Sequence, residues 1–341
     1  MKYSFRNDYS EIGHPEILKL LLENAYTQNI GYGFDNETKK LEETVSSIVK
    51  QPVNVILASA GTQTNLTVIS KILKTYEAVI SVDTGHINVH ETGAIEATGH
   101  KVLCVPGKNG KISPVEIEKI VKLHADCHMV LPKLVYFSNS TELGTTYNKS
   151  ELEEIYACCK KLGLYVFIDG ARLSQALVAE NITLKDMVDN SDVFYLGGTK
   201  NGLPYGEMIV IKDKDIYENF HYHLKNKGAM LAKTFVVSMM FNRLLEDELY
   251  LKNAENANKM SQKLKEGLSQ IGVEIVYPNK TNQLFIKLSK KVIDELSTLY
   301  AFEVWEDLGE TQIIRLVTSW ATKEEYVNDF IEDIKRMDRS L

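Results

Sequence analysis

Apolar residues along the chain occur in short runs that alternate with longer segments in which they recur every three or four positions. The short runs are rich in β-branched and aromatic residues and predict strands at 54–59, 78–83, 101–106, 129–138, 164–169, 192–197 and 207–212. The segments 62–76, 113–125 and 149–163 have the periodicity of amphipathic helices. This alternation predicts an α/β fold with a mostly parallel sheet that is buried on both faces.

The pattern changes after about residue 245. A long polar helix is predicted at 247–270, and short apolar runs at 273–278, 282–288 and 313–320 precede a terminal helix at 322–337. We therefore expect an N-terminal arm at 1–14, a large domain at 15–245 and a smaller α+β domain at 246–341.

Composition and charge narrow the classes of partner. The 341 residues have a net charge of −7 and no basic run, so we do not expect nucleic-acid binding. No apolar stretch has the length of a signal sequence core or a membrane span, so we expect no membrane association. The four cysteines form no CxxC pair, which favours reduced thiols in a cytoplasmic protein.

Residues with chemical function follow several of the predicted strands. The carboxyl ends of parallel strands lie on one edge of a sheet, where ligands commonly bind. The residues expected there are Gly61, Thr62, His86, Asp169, Arg172 and Lys200. The sequence therefore predicts a ligand site at this edge.

Lys200 lies among Gly197, Gly198 and Gly202, and we infer that the glycines leave room for a ligand. A lysine amine can hold an aldehyde cofactor as a Schiff base, and Asp169 could hold a protonated ring nitrogen of that cofactor. A solvated loop lysine and a helix-capping aspartate would explain each residue alone, but not the two together. The pair predicts pyridoxal 5'-phosphate (PLP).

Three further motifs leave alternatives open. Gly61 and Thr62 could bind a phosphate at a helix N-terminus, or form a plain turn with a threonine cap. His86 could stack on a flat cofactor and transfer protons, or be purely structural. In "HADCH" (124–128), two histidines and a cysteine lack further ligands of suitable spacing, so we expect no metal site.

Arg315 interrupts an apolar strand in "TQIIRLVTSWATKEE". A charge in that setting needs a partner. The partner is either a nearby carboxylate of the protein or the carboxylate of a substrate held between the domains.

Together these residues resemble the threonine aldolase family, which consists of fold-type I PLP-dependent enzymes in the beta-eliminating lyase superfamily. The similarity extends over nearly the whole chain. It is carried by the segments "FRNDYSEIGHPEI", "IGYGFDNETKKLE", "SAGTQTN", "GHINVHETGAIEATGHKV", "IDGARLSQAL", "GGTKNG" and "IIRLVTSWAT". Each segment alone is weak, but seven in the family's order are specific.

The resemblance implies a role for each candidate residue. Lys200 attaches the cofactor, Asp169 holds its ring nitrogen, and His86 stacks on the ring as a candidate base. Gly61 and Thr62 bind the phosphate. Arg172 and Arg315 receive the substrate carboxylate, with help from Asn7, which stands at a serine position of the family, and Tyr32 lines the pocket. Tyr32 is expected to come from a neighbouring subunit of a homodimer or homotetramer with sites at its interfaces.

The sequence departs from the common bacterial pattern in two places. The segment "KGAMLAK" (227–233) lacks an arginine that contacts the phosphate, and Lys227 or Lys233 could substitute. The segment "SNSTELG" (138–144) lacks a histidine, although His128 lies upstream. The preferred aldehyde and the stereochemistry of the substrate therefore stay open.

The activity implied by the resemblance is cleavage of L-threonine or L-allo-threonine, which are β-hydroxy-α-amino acids, to glycine and an aldehyde. The alternative within the same chemistry is a PLP-dependent β-eliminating lyase. A third reading is a non-catalytic ligand-binding protein, against which Lys200, Asp169 and Arg315 argue.

Overall fold

The computed structural model describes residues 1–337. Its strands are β1 (Tyr3–Ser4), β2 (Asn54–Ala58), β3 (Glu77–Val82), β4 (Lys101–Val105), β5 (Leu131–Ser138), β6 (Tyr165–Asp169), β7 (Val193–Gly197), β8 (Glu207–Ile211), β9 (Glu274–Ile275), β10 (Gln283–Ser289), β11 (Tyr300–Ala301), β12 (Glu303–Asp307) and β13 (Thr311–Val317). Its α-helices are α1 (Pro15–Glu23), α2 (Asn36–Val49), α3 (Gly61–Ile72), α4 (His86–Val89), α5 (Pro114–Leu123), α6 (Lys149–Lys161), α7 (Leu173–Glu180), α8 (Leu184–Asp189), α9 (Lys214–Tyr217), α10 (Phe220–Asn226), α11 (Thr234–Leu245), α12 (Leu249–Gln270), α13 (Lys290–Ser297) and α14 (Glu324–Met337). None of the helices within residues 1–337 combines the length and apolarity needed to cross a membrane.

The central sheet has seven strands in the order β2-β8-β7-β6-β5-β3-β4. All are parallel except β8, which is antiparallel to both β2 and β7. Alternate residues of β2 pack into two separate cores, one on each face of the sheet. This burial on both faces explains why the strands are continuous apolar runs, and it confirms the predicted α/β class.

Local sequence signals explain where helices begin. Asn148 and Glu151 form a capping box at the start of α6, and Lys160 and Lys161 lie in its last turn. Helix α3 differs, because Ala60 precedes it and no side chain within residues 1–337 caps its first N–H groups. The N-terminus of α3 is therefore free to bind a ligand.

A second sheet, in the order β12-β13-β10-β9, is antiparallel and covers its own apolar core together with α12, α13 and α14. Of the apolar run at 273–278, only the two residues of β9 form a strand. Beyond it the chain turns, as Asn279 N–H donates to the carbonyl of Tyr277 at 2.8 Å.

The N-terminal arm contains a strand that the sequence pattern does not predict. Strand β1 pairs in parallel with β11, and Phe5 is fully buried in the core of the second sheet. Phe5 N–H donates to the carbonyl of Ala301 at 2.7 Å, and its own carbonyl accepts from Val317 at 2.8 Å. The arm thus fixes the position of Asp8, which is buried.

Candidate active site

One edge of the central sheet collects the candidate residues. Strands β2, β3, β6 and β7 share one direction, so Gly61, His86, Asp169 and Lys200, which follow them, lie at the same edge. Because β8 runs the opposite way, its first residue, Glu207, also lies there.

Asp169, the last residue of β6, is buried and accepts hydrogen bonds at both carboxylate oxygens. The donors are the Tyr136 hydroxyl (2.6 Å), the Tyr195 hydroxyl (2.5 Å), Asn65 Nδ2 (2.9 Å) and Ala171 N–H (3.0 Å). Arg172, not Asp169, occupies the N-cap position of α7. The capping alternative therefore does not account for this carboxylate.

The pKa of Asp169 is lowered overall. Burial would raise that pKa, but His86 and the hydrogen bonds from the two tyrosines and Ala171 outweigh burial. Asp169 is therefore an anion at neutral pH, which suits it to hold a protonated ring nitrogen.

His86 begins α4, and a chain of hydrogen bonds links its ring to Asp169. Its Nδ1 lies 2.8 Å from Oε1 of Glu91, which is buried. Asn65 Nδ2 donates to that same Oε1 at 2.7 Å and to Asp169 Oδ2 at 2.9 Å. Glu91 therefore fixes the orientation of the imidazole and leaves Nε2 as its free nitrogen.

Lys200 lies in a short 3-10 helix, Thr199–Asn201, directly after β7. Its Nζ makes no hydrogen bond or ion pair with any residue in the described range 1–337. Burial, and next the positive charge of Arg172, lower the pKa of Lys200. A lowered pKa increases the fraction of neutral amine, which is the form that attacks an aldehyde.

The structure gives a different reason for the glycines around Lys200 from the one inferred from the sequence. A Cβ on Gly197 would lie 2.4 Å from the carbonyl oxygen of Ala171, and one on Gly198 would lie 2.6 Å from that of Gly206. Gly202 has a φ of +97°. These glycines allow the chain to pack closely against itself and do not reserve space for a ligand.

Gly61 and Thr62 form the uncapped start of α3. Thr62 lies inside the first turn, so it is not the helix cap that the alternative reading required. A Cβ on Gly61 would lie 3.2 Å from the hydroxyl of Tyr195, which itself donates to Asp169. A phosphate at these N–H groups would thus lie beside the Asp169 cluster.

Two arginines line the same cavity as Lys200, namely Arg172 at the start of α7 and Arg315 in β13 of the second sheet. Arg172 donates from Nε and Nη2 to the two carboxylate oxygens of Asp8, at 2.7 and 3.0 Å. The guanidinium of Arg315 lies 5.4 Å from the ring centroid of Trp305 and has no carboxylate within ion-pair distance in the described part of the chain. The protein-carboxylate alternative for Arg315 therefore has no partner there.

A cavity of about 580 Å³ joins these groups. Its lining includes Lys200, His86, Arg172, Arg315, Glu142 and Trp305.

Glu142 and Glu207 were not among the candidates from the sequence. The signal for Glu207 was a single acid at the start of an apolar strand. Glu142, in a polar loop, carried no comparable signal.

Other candidates lie elsewhere. Asn7 lies in a turn, where its Oδ1 accepts from Tyr9 N–H at 3.0 Å and from the Ser10 hydroxyl at 2.9 Å, and it is not among the residues lining the Lys200 cavity. Tyr32, with a φ of +64°, lines a different cavity of about 300 Å³. Within one chain, neither residue is brought to Lys200.

The lysines considered as phosphate partners and the "HADCH" residues are also remote from this cavity. Lys227 follows α10 and Lys233 precedes α11, and neither lines the Lys200 cavity. Potential ligand atoms of Asp126, Cys127 and His128 lie within 4.8 Å of one another, but all three residues are exposed. His124 does not join them, since its Nδ1 lies 2.9 Å from the carbonyl oxygen of Val130.

The chain is similar to known proteins over most of its length. The profile of the beta-eliminating lyase family matches residues 5–291. A low specificity L-threonine aldolase from Pseudomonas sp. (strain NCIMB 10558) is 31% identical over 327 residues, covering 94% of each chain. A solved structure of Leishmania major threonine aldolase is 43% identical and has a TM-score of 0.96, covering 98% of this chain and 99% of that one.

The fold also matches more distant structures with a bound cofactor. A structure of SPT with PLP is 14% identical, has a TM-score of 0.73, and covers 99% of this chain and 86% of that one. The edge of the central sheet fits PLP. It has an amine of lowered pKa at Lys200, a carboxylate held anionic at Asp169 and uncapped N–H groups at Gly61. The chain therefore belongs to the threonine aldolase family of beta-eliminating lyases, and is a PLP-dependent carbon–carbon lyase with the architecture of fold-type I enzymes.

Proposed function

We propose that this enzyme cleaves L-threonine or L-allo-threonine, and related β-hydroxy-α-amino acids, to glycine and an aldehyde. The observation that carries the proposal is the cavity that Lys200, His86, Arg172 and Arg315 line together. These groups match the needs of an amino acid substrate, which brings a carboxylate and a hydroxyl proton. The names of the similar proteins from Pseudomonas and Leishmania support this choice of substrate.

We assign the cofactor-binding roles to Lys200, Asp169, His86, Gly61 and Thr62. Lys200 would hold the aldehyde carbon of PLP, Asp169 the ring nitrogen, His86 one face of the ring, and the N–H groups of Gly61 and Thr62 the phosphate. When bound, PLP stabilises the electron pair left on the substrate Cα. Asp169 supports that function because it keeps its negative charge in a buried setting.

Arg315 is the main candidate for binding the substrate carboxylate. It has no ion-pair partner in the described residues, whereas two nitrogens of Arg172 are already bound to Asp8. A guanidinium can donate two parallel hydrogen bonds to a carboxylate, which fixes its orientation as well as its position. Arg315, assisted by Arg172, would thereby set which bond at Cα is broken.

Cleavage requires a group that takes the proton of the β-hydroxyl. The resemblance to the family implies His86 for this role, and Glu91 binds its Nδ1 while Nε2 has no partner in the described residues. An imidazole is the side chain that enzymes use most often for general acid–base catalysis.

A β-elimination activity is the second candidate, because the matching family profile is that of beta-eliminating lyases. The two reactions differ in their products, which are glycine and an aldehyde for cleavage, and ammonia and a keto acid for elimination. A product assay on a panel of β-hydroxy and β-substituted amino acids separates them. Ammonia and a keto acid as the only products would overturn the aldolase proposal.

A lysine variant links the activity to the site. Lys200→Ala should lose turnover and the attachment of PLP that borohydride can reduce, because no other amine lines the cavity among the described residues. The exposed Lys161→Ala is the matched control and should keep both. A reducible attachment that persists in Lys200→Ala would contradict the assignment.

We further propose a homodimer or homotetramer in which Tyr32 reaches the site of a neighbouring subunit. Tyr32, Phe34 and Tyr222 are exposed by 45, 69 and 79% and line one apolar surface cavity. Exposed apolar patches of this kind usually mark interfaces. Phe34→Asp should lower both the sedimentation coefficient and the activity, whereas Val115→Asp, at another exposed apolar position, should change neither. A fully active monomer would refute the proposal.

Two further proposals concern the domain boundaries and the location of the protein. The separate apolar core around the second sheet supports the division into 1–14, 15–245 and 246–341, of which 338–341 lie outside the described residues. A cytoplasmic location is supported by the four cysteines, all of which are free thiols. Limited proteolysis near residue 245 and cell fractionation test these two proposals.

A further inference from the structure

We propose that Glu142, rather than His86, takes the proton from the β-hydroxyl of the substrate. This inference rests on the proposed aldolase function and leaves His86 with the role of packing against the cofactor. It concerns the loop that follows β5, where this chain lacks the family's histidine.

Glu142 has one occupied and one free carboxylate oxygen. Its Oε1 accepts from the Ser138 hydroxyl at 2.6 Å and from His86 N–H at 3.0 Å. Its Oε2 is buried and has no hydrogen-bond partner in the part of the chain that the structure describes. The residue is only 9% exposed and lines the cavity that contains Lys200.

A free buried carboxylate oxygen is unfavourable unless something binds it. The cavity is where such a partner can arrive, and a β-hydroxyl is a donor of the required kind. The two hydrogen bonds at Oε1 hold the side chain in place, so that Oε2 is presented in a fixed position. The arrangement is that of a positioned base.

The surroundings of Glu142 also increase its basicity. Burial raises its pKa, and the negative charge of Asp169 adds to that effect, while the hydrogen bond from Ser138 and the proximity of His86 act in the opposite direction. The titratable and charged groups that influence it are His86, Asp169, Arg172, Tyr136 and Tyr147. A raised pKa brings the carboxylate nearer to the operating pH, where general bases are most effective.

The proton transfer balances with bond cleavage. Oε2 of Glu142 accepts the hydroxyl proton, and the O–H electron pair becomes the second bond of the aldehyde carbonyl. The Cα–Cβ bond breaks, and its electron pair stays on Cα, which is then protonated to give glycine. His86 then takes no part in this step, and its ring, oriented by Glu91 at Nδ1, is left to pack against the cofactor.

The test compares two reactions of the PLP-bound enzyme. Glu142→Gln should lower the cleavage of L-threonine by about 10²–10⁴-fold, the range for losing a general base. The exchange of the α-hydrogen of glycine with D₂O should stay within about twofold, since glycine has no β-hydroxyl. Glu153→Gln, an exposed acid on α6, is the matched control and should change neither rate.

A measurement independent of turnover accompanies these rates. In the wild type, Glu142 contributes a carboxyl infrared band that is missing from the spectrum of Glu142→Gln. This band should change at a higher pH than the band of an ordinary glutamate. If Glu142→Gln does not retain PLP, Glu142→Asp takes its place and should lose cleavage while keeping exchange. Normal cleavage in the variant, or equal losses of cleavage and exchange, would overturn the role of Glu142. Failure of the wild type to form glycine and an aldehyde would instead overturn the proposed function.

Discussion

Arg172 and Asp8 form a doubly hydrogen-bonded ion pair, with distances of 2.7 and 3.0 Å between guanidinium nitrogens and carboxylate oxygens. Asn282 also donates to Oδ2 of Asp8, at 2.9 Å. The pair therefore connects the N-terminal arm, the start of α7 and the second sheet at the wall of the cavity. In this geometry Nε and Nη2 of Arg172 point toward Asp8, and the third guanidinium nitrogen, Nη1, is left available.

Asp8→Asn should both destabilise the protein and raise KM for the amino acid. The substitution leaves the buried Arg172 without a counter-charge, which typically costs about 2–5 kcal/mol. Urea unfolding and steady-state kinetics measure the two effects, with the exposed Asp126→Asn as control. Unchanged stability would show that the pair is not important to folding.

The stability difference between Asp8→Asn and the wild type should depend on pH. Burial would raise the pKa of Asp8, but the charges of Arg172 and Lys200 lower it overall. A carboxyl with a lowered pKa stabilises the fold above its unfolded-state pKa, and this stabilisation is lost as the pH falls through the lower folded-state value. The advantage of the wild type should therefore be full at neutral pH and diminish in acid.

Arg315→Lys should raise KM and lower kcat, with a combined loss on the order of 2–4 kcal/mol in kcat/KM. A lysine can supply the charge but not the two parallel hydrogen bonds, and it loses the stacking on Trp305. The melting temperature should change little, as in the exposed control Arg336→Lys. A sharp fall in melting temperature with unchanged kcat/KM would move the anchoring role to Arg172.

Asp169→Asn should retain PLP but lower the rate by about 10²–10³-fold, the usual effect of removing a preorganised electrostatic partner. An amide has no negative charge with which to keep the ring nitrogen protonated. The absorbance of bound PLP and the turnover rate are the measurements, and Asp189→Asn, at the end of α8, is the control. Near-normal turnover would exclude Asp169 from the mechanism.

Glu207→Gln should remove a pH-dependent cost to stability. Burial raises the pKa of Glu207 to about 7, despite hydrogen bonds from Thr199 and Gly198 that act to lower it. The folded protein then binds this proton more tightly than the unfolded chain. The wild type should therefore lose stability relative to the variant as the pH rises from about 4.5 to about 7.

The size of that loss should be on the order of 3 kcal/mol, as one pKa unit corresponds to about 1.4 kcal/mol and the pKa rises from 4.5 to about 7. Unfolding experiments across this pH range measure it, with Glu153→Gln as the matched control. A wild-type-to-variant difference that stays constant with pH would contradict the raised pKa of Glu207.

The strands of the central sheet were predictable because most are buried on both faces and are therefore continuous apolar runs. In the edge strand β4 only Leu103 and Val105 are buried. Each observed strand begins and ends within about two residues of its prediction. The ends of the strands then placed His86, Asp169 and Lys200 on one edge by general topology. The fold class and the centre of the site thus follow from local patterns.

The remaining parts of the site depend on long-range contacts that leave no local pattern. Asp8 and Arg172 are 164 positions apart, and nothing near either residue indicates the other. Glu207 reaches the edge because β8 runs antiparallel to its neighbours, a direction that apolar runs do not encode. The connection from Gly198 to Gly206 is too short for the crossover that parallel strands need, and only this length hinted at the reversal.

The pairing of β1 with β11 has a consequence for the order in which the protein is made. Arg172 leaves the ribosome long before Tyr300 and Ala301, which hold the arm, and before Asn282, which holds Asp8. Contacts that close such long loops form slowly. During synthesis, the central sheet and Lys200 would therefore be present before Asp8, the counter-charge of Arg172, is held in place. A chain that ended before β10 would contain the cofactor lysine but no complete carboxylate site.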